Sequence, residues 1–160
     1  MPSLKSSSAE RVAAALLLAL FAVGVVGCGG GDASGATVTV YVAAPLCAAA
    51  KADLASHGPA AGSFHIAAHC LAPSERAGGG VDLAANGSNS RRATQDTSAV
   101  ATLEPPGPGN KFARAILESA GIPLVTSSSG KAGMTRIVKA IESADTSNVR
   151  ESVQSSLEPS

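Results

Sequence analysis

Length, composition and charge bound what this chain can do. It has 160 residues, with twelve basic and twelve acidic side chains, and its aromatic residues are one Tyr and three Phe. Nucleic-acid binding requires clustered positive charge, and base stacking requires aromatic platforms, so this composition argues against a nucleic-acid partner. The 133 residues from position 28 to the end suffice for one hydrophobic core but not for two ordinary lobes.

An apolar segment near the N-terminus predicts export and lipid anchoring. Residues 12–27 carry no charge and follow two basic residues. As a helix this run would be roughly 24 Å long, which is short for a hydrocarbon core of about 30 Å but typical of the apolar region of a signal peptide. Residues 25–28, VVGC, resemble a bacterial lipobox, in which the cysteine sulfur receives a diacylglycerol. We therefore predict a signal peptide over residues 1–27, then a lipidated Cys28 and a flexible tether over residues 28–36, with the protein held at the extracytoplasmic face of the plasma membrane. The alternative is a free Cys28 thiol beside an uncleaved anchor.

The other two cysteines, Cys47 and Cys70, form an even pair once Cys28 is assigned to the lipid. Exported proteins meet an oxidising environment, so a disulfide between the two is predicted. With 22 residues between them, such a bridge would stabilise the fold by about 3 kcal/mol on the chain-entropy model. The alternative is a pair of buried free thiols.

From residue 36 onward the hydrophobic pattern alternates between strand and helix. Pro45 ends the first strand, Gly87 interrupts a weak second helix, and Asn110 caps the third. Strands are predicted within residues 36–47, 63–73, 99–109 and 122–129, and helices within residues 47–58, 81–96, 110–121, 130–144 and 147–158. Such alternation predicts an α/β fold, a three-layer sandwich with a mostly parallel four-stranded sheet and helices on both faces, forming a single domain over residues 37–160.

Three loops follow predicted strands at the edge where open parallel sheets bind ligands, namely residues 44–47, 104–109 and 126–133. In the last of these, one of the three serines at positions 127–129 is expected to cap the following helix, and such a cap is compatible with ligand contact. The sequence places no second carboxylate or histidine beside Glu104, so we interpret Glu104 as a solvated loop residue.

No combination of side chains in the sequence predicts catalysis. The residue pattern does not place an acid, a base and a nucleophile together, so we do not expect an enzyme. His65 and His69 lie on a predicted strand, where four residues span roughly 13 Å, and they would not share a metal ion. No cofactor or metal is predicted.

Three segments, in this order, resemble a known receptor family. They are VTVYVAAPL at residues 38–46, NSRRATQDTSAVATLEP at residues 89–105 and FARAILESAGIPLVTSSSG at residues 112–130. Together they resemble type I periplasmic binding proteins, and within these the branched-chain amino acid (leucine-binding) receptors of ABC transporters. The similarity extends over residues 37–143. It implies that the chain is an incomplete first lobe of a receptor in which two lobes close around an amino acid.

The resemblance also implies where a ligand would be held. In the family, loops of the first lobe bind the head group of the amino acid, and these loops correspond here to residues 104–109 and 126–130. The matching positions are Gly107, Gly109, Ser127, Ser128, Ser129 and Gly130. The implied ligand is an amino acid or an amide, and the implied partners are an ABC permease and, through the lipid, the membrane. Gly130 stands where the family commonly has a Thr, and family members have more than twice as many residues.

The function that the resemblance implies is that of a non-catalytic, solute-binding lipoprotein. The alternatives are a degenerate lobe that serves as a structural or protein-interaction module, or a gene fragment without independent function. Titration with leucine, valine and amides separates the solute-binding function from the structural or protein-interaction module.

Overall fold

The computed structural model describes residues 35–158. The predicted signal peptide, Cys28 and nearly all of the tether lie outside these residues. None of the helices in the described part of the chain is long and apolar enough to span a membrane.

The described residues form one sheet flanked by helices. The strands are β1 (Ala36–Val42), β2 (Ala60–Ala61), β3 (Phe64–Cys70), β4 (Ala99–Glu104) and β5 (Leu124–Thr126). The helices are α1 (Ala44–His57), α2 (Leu83–Gln95), α3 (Asn110–Glu118), α4 (Gly130–Glu142) and α5 (Val149–Leu157). The strand order is β2-β3-β1-β4-β5, and every pairing is parallel except that of β2 with β3.

The predicted α/β class and mostly parallel sheet are confirmed, but the strand count was wrong by one. The additional strand, β2, has only two residues and pairs antiparallel at the edge of the sheet. A two-residue strand has no periodicity of its own, because alternation needs at least four residues to be recognised. It exists because the turn at Gly62, where φ is +58°, folds the chain back on Phe64.

The central strand β1 is apolar along most of its length because it is covered on both faces. Val40 and Val42 belong to one core cluster, which includes side chains of α1, α4 and α5. Tyr41, which points to the other face, belongs to a second cluster with side chains of α2 and α3. Burial of a full Ile side chain, such as Ile137 or Ile141 on α4, stabilises the fold by roughly 1.5–3 kcal/mol. The sheet is therefore the middle layer of three.

The predicted disulfide joins Cys47 on α1 to Cys70 at the end of β3, with 5.6 Å between the two Cα atoms. The bridge links the helix that follows β1 to the neighbouring strand. The alternative of two free thiols is therefore wrong.

Three local predictions, at Pro45, Gly87 and Asn110, were wrong. Pro45 does not end the first strand, which stops at Val42. It lies in the first turn of α1, where the missing N–H of proline costs no hydrogen bond. Gly87 does not interrupt α2, because it lies under the ring of Phe112, whose Cε1 would be 3.0 Å from a Cβ at that position. Asn110 is the first residue of α3 rather than its cap, and Gly109 precedes it.

Candidate functional site

The carboxyl ends of β1 and β4 lie side by side where the strand order reverses. From β1 the chain crosses through α1 to β3 on one side, and from β3 it crosses through α2 to β4 on the other side. In open parallel sheets, ligands bind in the crevice outside the carboxyl ends at this point. Here the crevice is a cleft of about 370 Å³, which we call the switch-point cleft. Its lining comes from the segments at residues 43–45, 73–86 and 104–110.

One wall of the switch-point cleft is a tight loop after β3. Backbone pairing of Glu75 with Val81 closes the loop, and the N–H of Asp82 donates to the carbonyl of Ser74 at 2.8 Å. This pairing holds Val81 against the loop that follows β4. A Cβ at Gly109 would lie 3.0 Å from Cγ1 of Val81, so glycine permits the close approach of the two loops.

The floor of the switch-point cleft carries a buried carboxylate, that of Glu104. This residue ends β4 and is 7% exposed, which corrects its interpretation as a solvated loop residue. Burial raises the pKa of Glu104, because the protein interior disfavours the charged form. Its Oε2 accepts a hydrogen bond from Nδ2 of Asn110 at 3.2 Å, and among residues 35–158 it has no ion-pair partner.

A second buried polar group, the side-chain amide of Asn86, lines the same cleft. Asn86 lies in the first turn of α2 and is 4% exposed, and its Oδ1 accepts no hydrogen bond from the described residues. Buried polar atoms in folded proteins nearly always have a hydrogen-bond partner. The oxygen itself is buried, so a ligand in the cleft would reach it only if the surrounding atoms moved.

The charge of the cleft lining is negative. Within the described chain, its ionisable side chains are Glu75 and Glu104, and neither lysine, arginine nor histidine lines it.

Elsewhere, the imidazole of His69 lies 5.8 Å from the ring of Tyr41, centroid to centroid. No group of three or more His, Cys, Asp or Glu side chains in residues 35–158 is arranged to hold a metal ion.

The two loops implied by the family resemblance have different surroundings. Gly107 and Gly109 line the switch-point cleft, whereas the residues at positions 127–130 do not. We call residues 127–129 the serine turn. In this turn, the Ser127 hydroxyl donates to the Ser129 carbonyl at 2.8 Å and accepts from the Ser129 N–H at 3.1 Å. The Ser129 hydroxyl accepts from the N–H of Ala132, which confirms the expected serine cap of α4. A ligand role for Ser127, Ser128 and Ser129 stays a prediction.

Gly130 has a packing role in the contact between α4 and α1. A Cβ at this position would overlap the carbonyl oxygen of Leu46 and lie 3.1 Å from Cβ of Ala49. Ser129 also borders a larger hollow of about 690 Å³, between α4 and α5, where no strand ends converge. That hollow therefore lacks the geometry of a sheet-edge ligand site.

Sequence reasoning missed Asn86 and misread Glu104. One signal was present for Glu104, since it is the last residue of a mostly apolar strand directly before a Pro- and Gly-rich turn. Nothing local marks Asn86, because its burial depends on the loop after β3 and on Gly109, which approaches it from the loop after β4. Such contacts between distant segments are not visible in a local pattern.

Comparison with protein-family models, with curated proteins and with solved structures finds no significant match. The class that the fold itself defines is an α/β domain with a cleft at the reversal of strand order.

Proposed function

We propose that the chain is an exported lipoprotein that binds a small solute in the switch-point cleft without transforming it. The observation that carries this proposal is the carboxylate of Glu104, which is buried in the floor of a cleft at the sheet edge where ligands bind. A buried charge without an ion-pair partner costs stability. Such costs are concentrated at functional sites, where a ligand supplies the missing partner.

The size of the cleft suits a ligand of amino acid dimensions. Its volume of about 370 Å³ falls within the range of small-molecule sites, which is about 300–1,000 Å³. This agrees with the amino acid or amide ligand that the family resemblance implies. In such a receptor an ABC permease would be the partner that takes over the solute, and the lipid on Cys28 would hold the protein at the extracytoplasmic face of the membrane.

A binding role rather than a catalytic one is supported by the neighbours of Glu104. Nucleophilic and acid–base catalysis require a second reactive side chain within hydrogen-bond reach. In the described residues, the side-chain hydrogen bond of Glu104 comes from the amide of Asn110, and no hydroxyl, thiol or imidazole is hydrogen-bonded to its carboxylate. The carboxylate is therefore suited to holding a group in place.

A protein-interaction module is the second candidate, and two exposed apolar side chains favour it. Leu83 on α2 is 51% exposed and Phe112 on α3 is 43% exposed. Phe112 covers Gly87, which lies one helical turn after Leu83, so the two apolar groups share one side of the molecule. A partner polypeptide that buries both would occupy this face rather than the cleft.

Calorimetric titration of the full chain in detergent with leucine, valine and glutamine tests solute binding. Gly107→Phe would fill the cleft without a clash at Cβ, since the nearest heavy atom, Oδ1 of Asn110, is 3.6 Å away. Ser128→Phe is the matched control, because it adds the same ring to the exposed serine turn. We expect Gly107→Phe to weaken binding at least about tenfold and Ser128→Phe to change it less than about twofold.

The absence of heat and of thermal stabilisation with every solute would overturn solute binding in favour of the second candidate. A larger loss of affinity in Ser128→Phe than in Gly107→Phe would place the site at the serine turn instead of the cleft. Incorporation of labelled palmitate into the chain, abolished by Cys28→Ser, tests the lipid anchor separately. An unlabelled wild-type chain would overturn the anchor.

A further inference from the structure

We propose that the solute presents a protonated amine to the switch-point cleft, held by the carboxylate of Glu104. This inference rests on the proposed function and names the head group that the site selects. It is carried by the buried carboxylate, by the charge of the lining and by the residues that the lining lacks.

The carboxylate of Glu104 can accept more hydrogen bonds than it receives. An ionised carboxylate offers about four lone-pair positions, and one of those of Glu104 is occupied by Nδ2 of Asn110 at 3.2 Å. Neither Lys nor Arg among residues 35–158 lies within ion-pair distance of it. A ligand group that uses the remaining lone pairs must be a hydrogen-bond donor, and a cationic donor gives a stronger bond than a neutral one.

An ammonium group suits the carboxylate of Glu104, because it has three N–H donors and no acceptor. A carboxylate ligand has no donor to offer and would leave the unused positions of Glu104 without a partner.

The charge of the cleft lining also favours an amine over a carboxylate. Its two ionisable groups within the described residues, Glu75 and Glu104, are both acidic. A ligand carboxylate would be repelled by the field of these groups, and an amine would be attracted. A bound metal ion is disfavoured, because hard cations such as Ca²⁺ take six to eight oxygen ligands and residues 35–158 bring no three acidic, His or Cys groups together.

Three related probes separate the head groups: leucine, its decarboxylated analogue isoamylamine, and its deaminated analogue isocaproate. The full chain in detergent is titrated with each probe, and with calcium chloride. We expect isoamylamine to bind at least about tenfold more tightly than isocaproate. Glu104→Gln should weaken isoamylamine binding by about tenfold or more, because it removes the negative charge and keeps the shape of the side chain. The exposed Glu151→Gln serves as the matched control and should bind as the wild type does.

The outcomes distinguish this inference from the proposed function. Tighter binding of isocaproate than of isoamylamine would overturn the amine assignment and leave solute binding intact. Unchanged isoamylamine affinity in a folded Glu104→Gln variant would do the same, as would calcium binding that displaces the amine. Failure of all three organic probes to bind would count against the proposed function itself, and the inference would fall with it.

Discussion

The substitution Gly130→Ala tests whether this glycine serves packing rather than a ligand. The new methyl carbon would overlap the carbonyl oxygen of Leu46 and lie 3.1 Å from both Cβ of Ala49 and N of Ala50. Two of these three atoms are backbone atoms of α1, which has no rotamer to change, so α1 and α4 would have to move apart. Overpacking of this kind costs about 1–3 kcal/mol, and replacing a glycine returns roughly 0.4–1 kcal/mol through the unfolded chain. Because the overlap is with backbone atoms, the cost lies at the upper end of this range, and we expect a net loss of about 2 kcal/mol.

Urea unfolding of the full chain, followed by far-UV circular dichroism, measures this loss. With a slope of about 1–3 kcal/mol per molar urea, the midpoint should fall by about 1 M. Gly107→Ala is the matched control, because its Cβ would have 3.6 Å of clearance from the nearest heavy atom. Its stability should change by less than about 0.5 kcal/mol.

The affinity of the Gly130→Ala variant for any solute that binds the wild type should be unchanged under conditions where the variant is folded. Equal or greater stability of Gly130→Ala would refute the close contact between α1 and α4. Lost affinity in a fully folded variant would instead show that Gly130 contacts the ligand, as the family resemblance implies.

Four further variants probe the remaining features by the same unfolding assay. Replacing both Cys47 and Cys70 by Ala should cost about 3 kcal/mol, because the bridge closes a loop with a sequence separation of 23, and unchanged stability would contradict the bridge. Burial raises the pKa of Glu104 above its ordinary value of 4.5, so the folded state binds the carboxyl proton more tightly than the unfolded state does. Stability therefore falls as the pH rises from the ordinary pKa of this group through its raised pKa in the folded state. Glu104→Gln should therefore stabilise the ligand-free protein at about pH 7 and lose that advantage at about pH 4, and an advantage that does not depend on pH would refute this reasoning. Arg150→Met should cost about 2–3 kcal/mol, because the guanidinium donates to four backbone carbonyls, whereas Arg136→Met, which loses one such bond, should cost about 1 kcal/mol.

The layered fold was predictable because each element repeats a simple pattern. The apolar run around Val40 indicates a strand that is covered on both faces, and the spacing of Ile137 and Ile141 indicates one buried face of a helix. The cysteine pairing followed from counting and compartment alone. These features depend on neighbours in sequence or on composition, which a single chain displays directly.

The candidate site was only partly predictable, because its key groups depend on contacts between distant segments. The edge of the sheet and the loop after β4 followed from topology. The burial of Asn86 did not, since it requires the loop after β3 to fold onto Gly109. The same holds for Gly87, which reads locally as a helix breaker and is retained because Phe112 lies against it.

The floor of the switch-point cleft is held in place before any ligand arrives. The N–H of Leu71 donates to the carbonyl of Val42 at 2.8 Å, and the N–H of Ala43 donates to the carbonyl of Leu103 at 2.9 Å, so the ends of β3, β1 and β4 are joined in a row. The disulfide adds a covalent link between β3 and the helix that follows β1. Binding of a solute in this cleft, as proposed, would therefore require little ordering of the protein, which removes a cost that many ligand sites incur. At the edge of a single sheet, affinity would then be limited by the ligand surface left in water, because small-molecule sites typically bury about 70–90% of their ligand. A second polypeptide that covers the cleft would raise the affinity for the proposed amine without altering the carboxylate of Glu104.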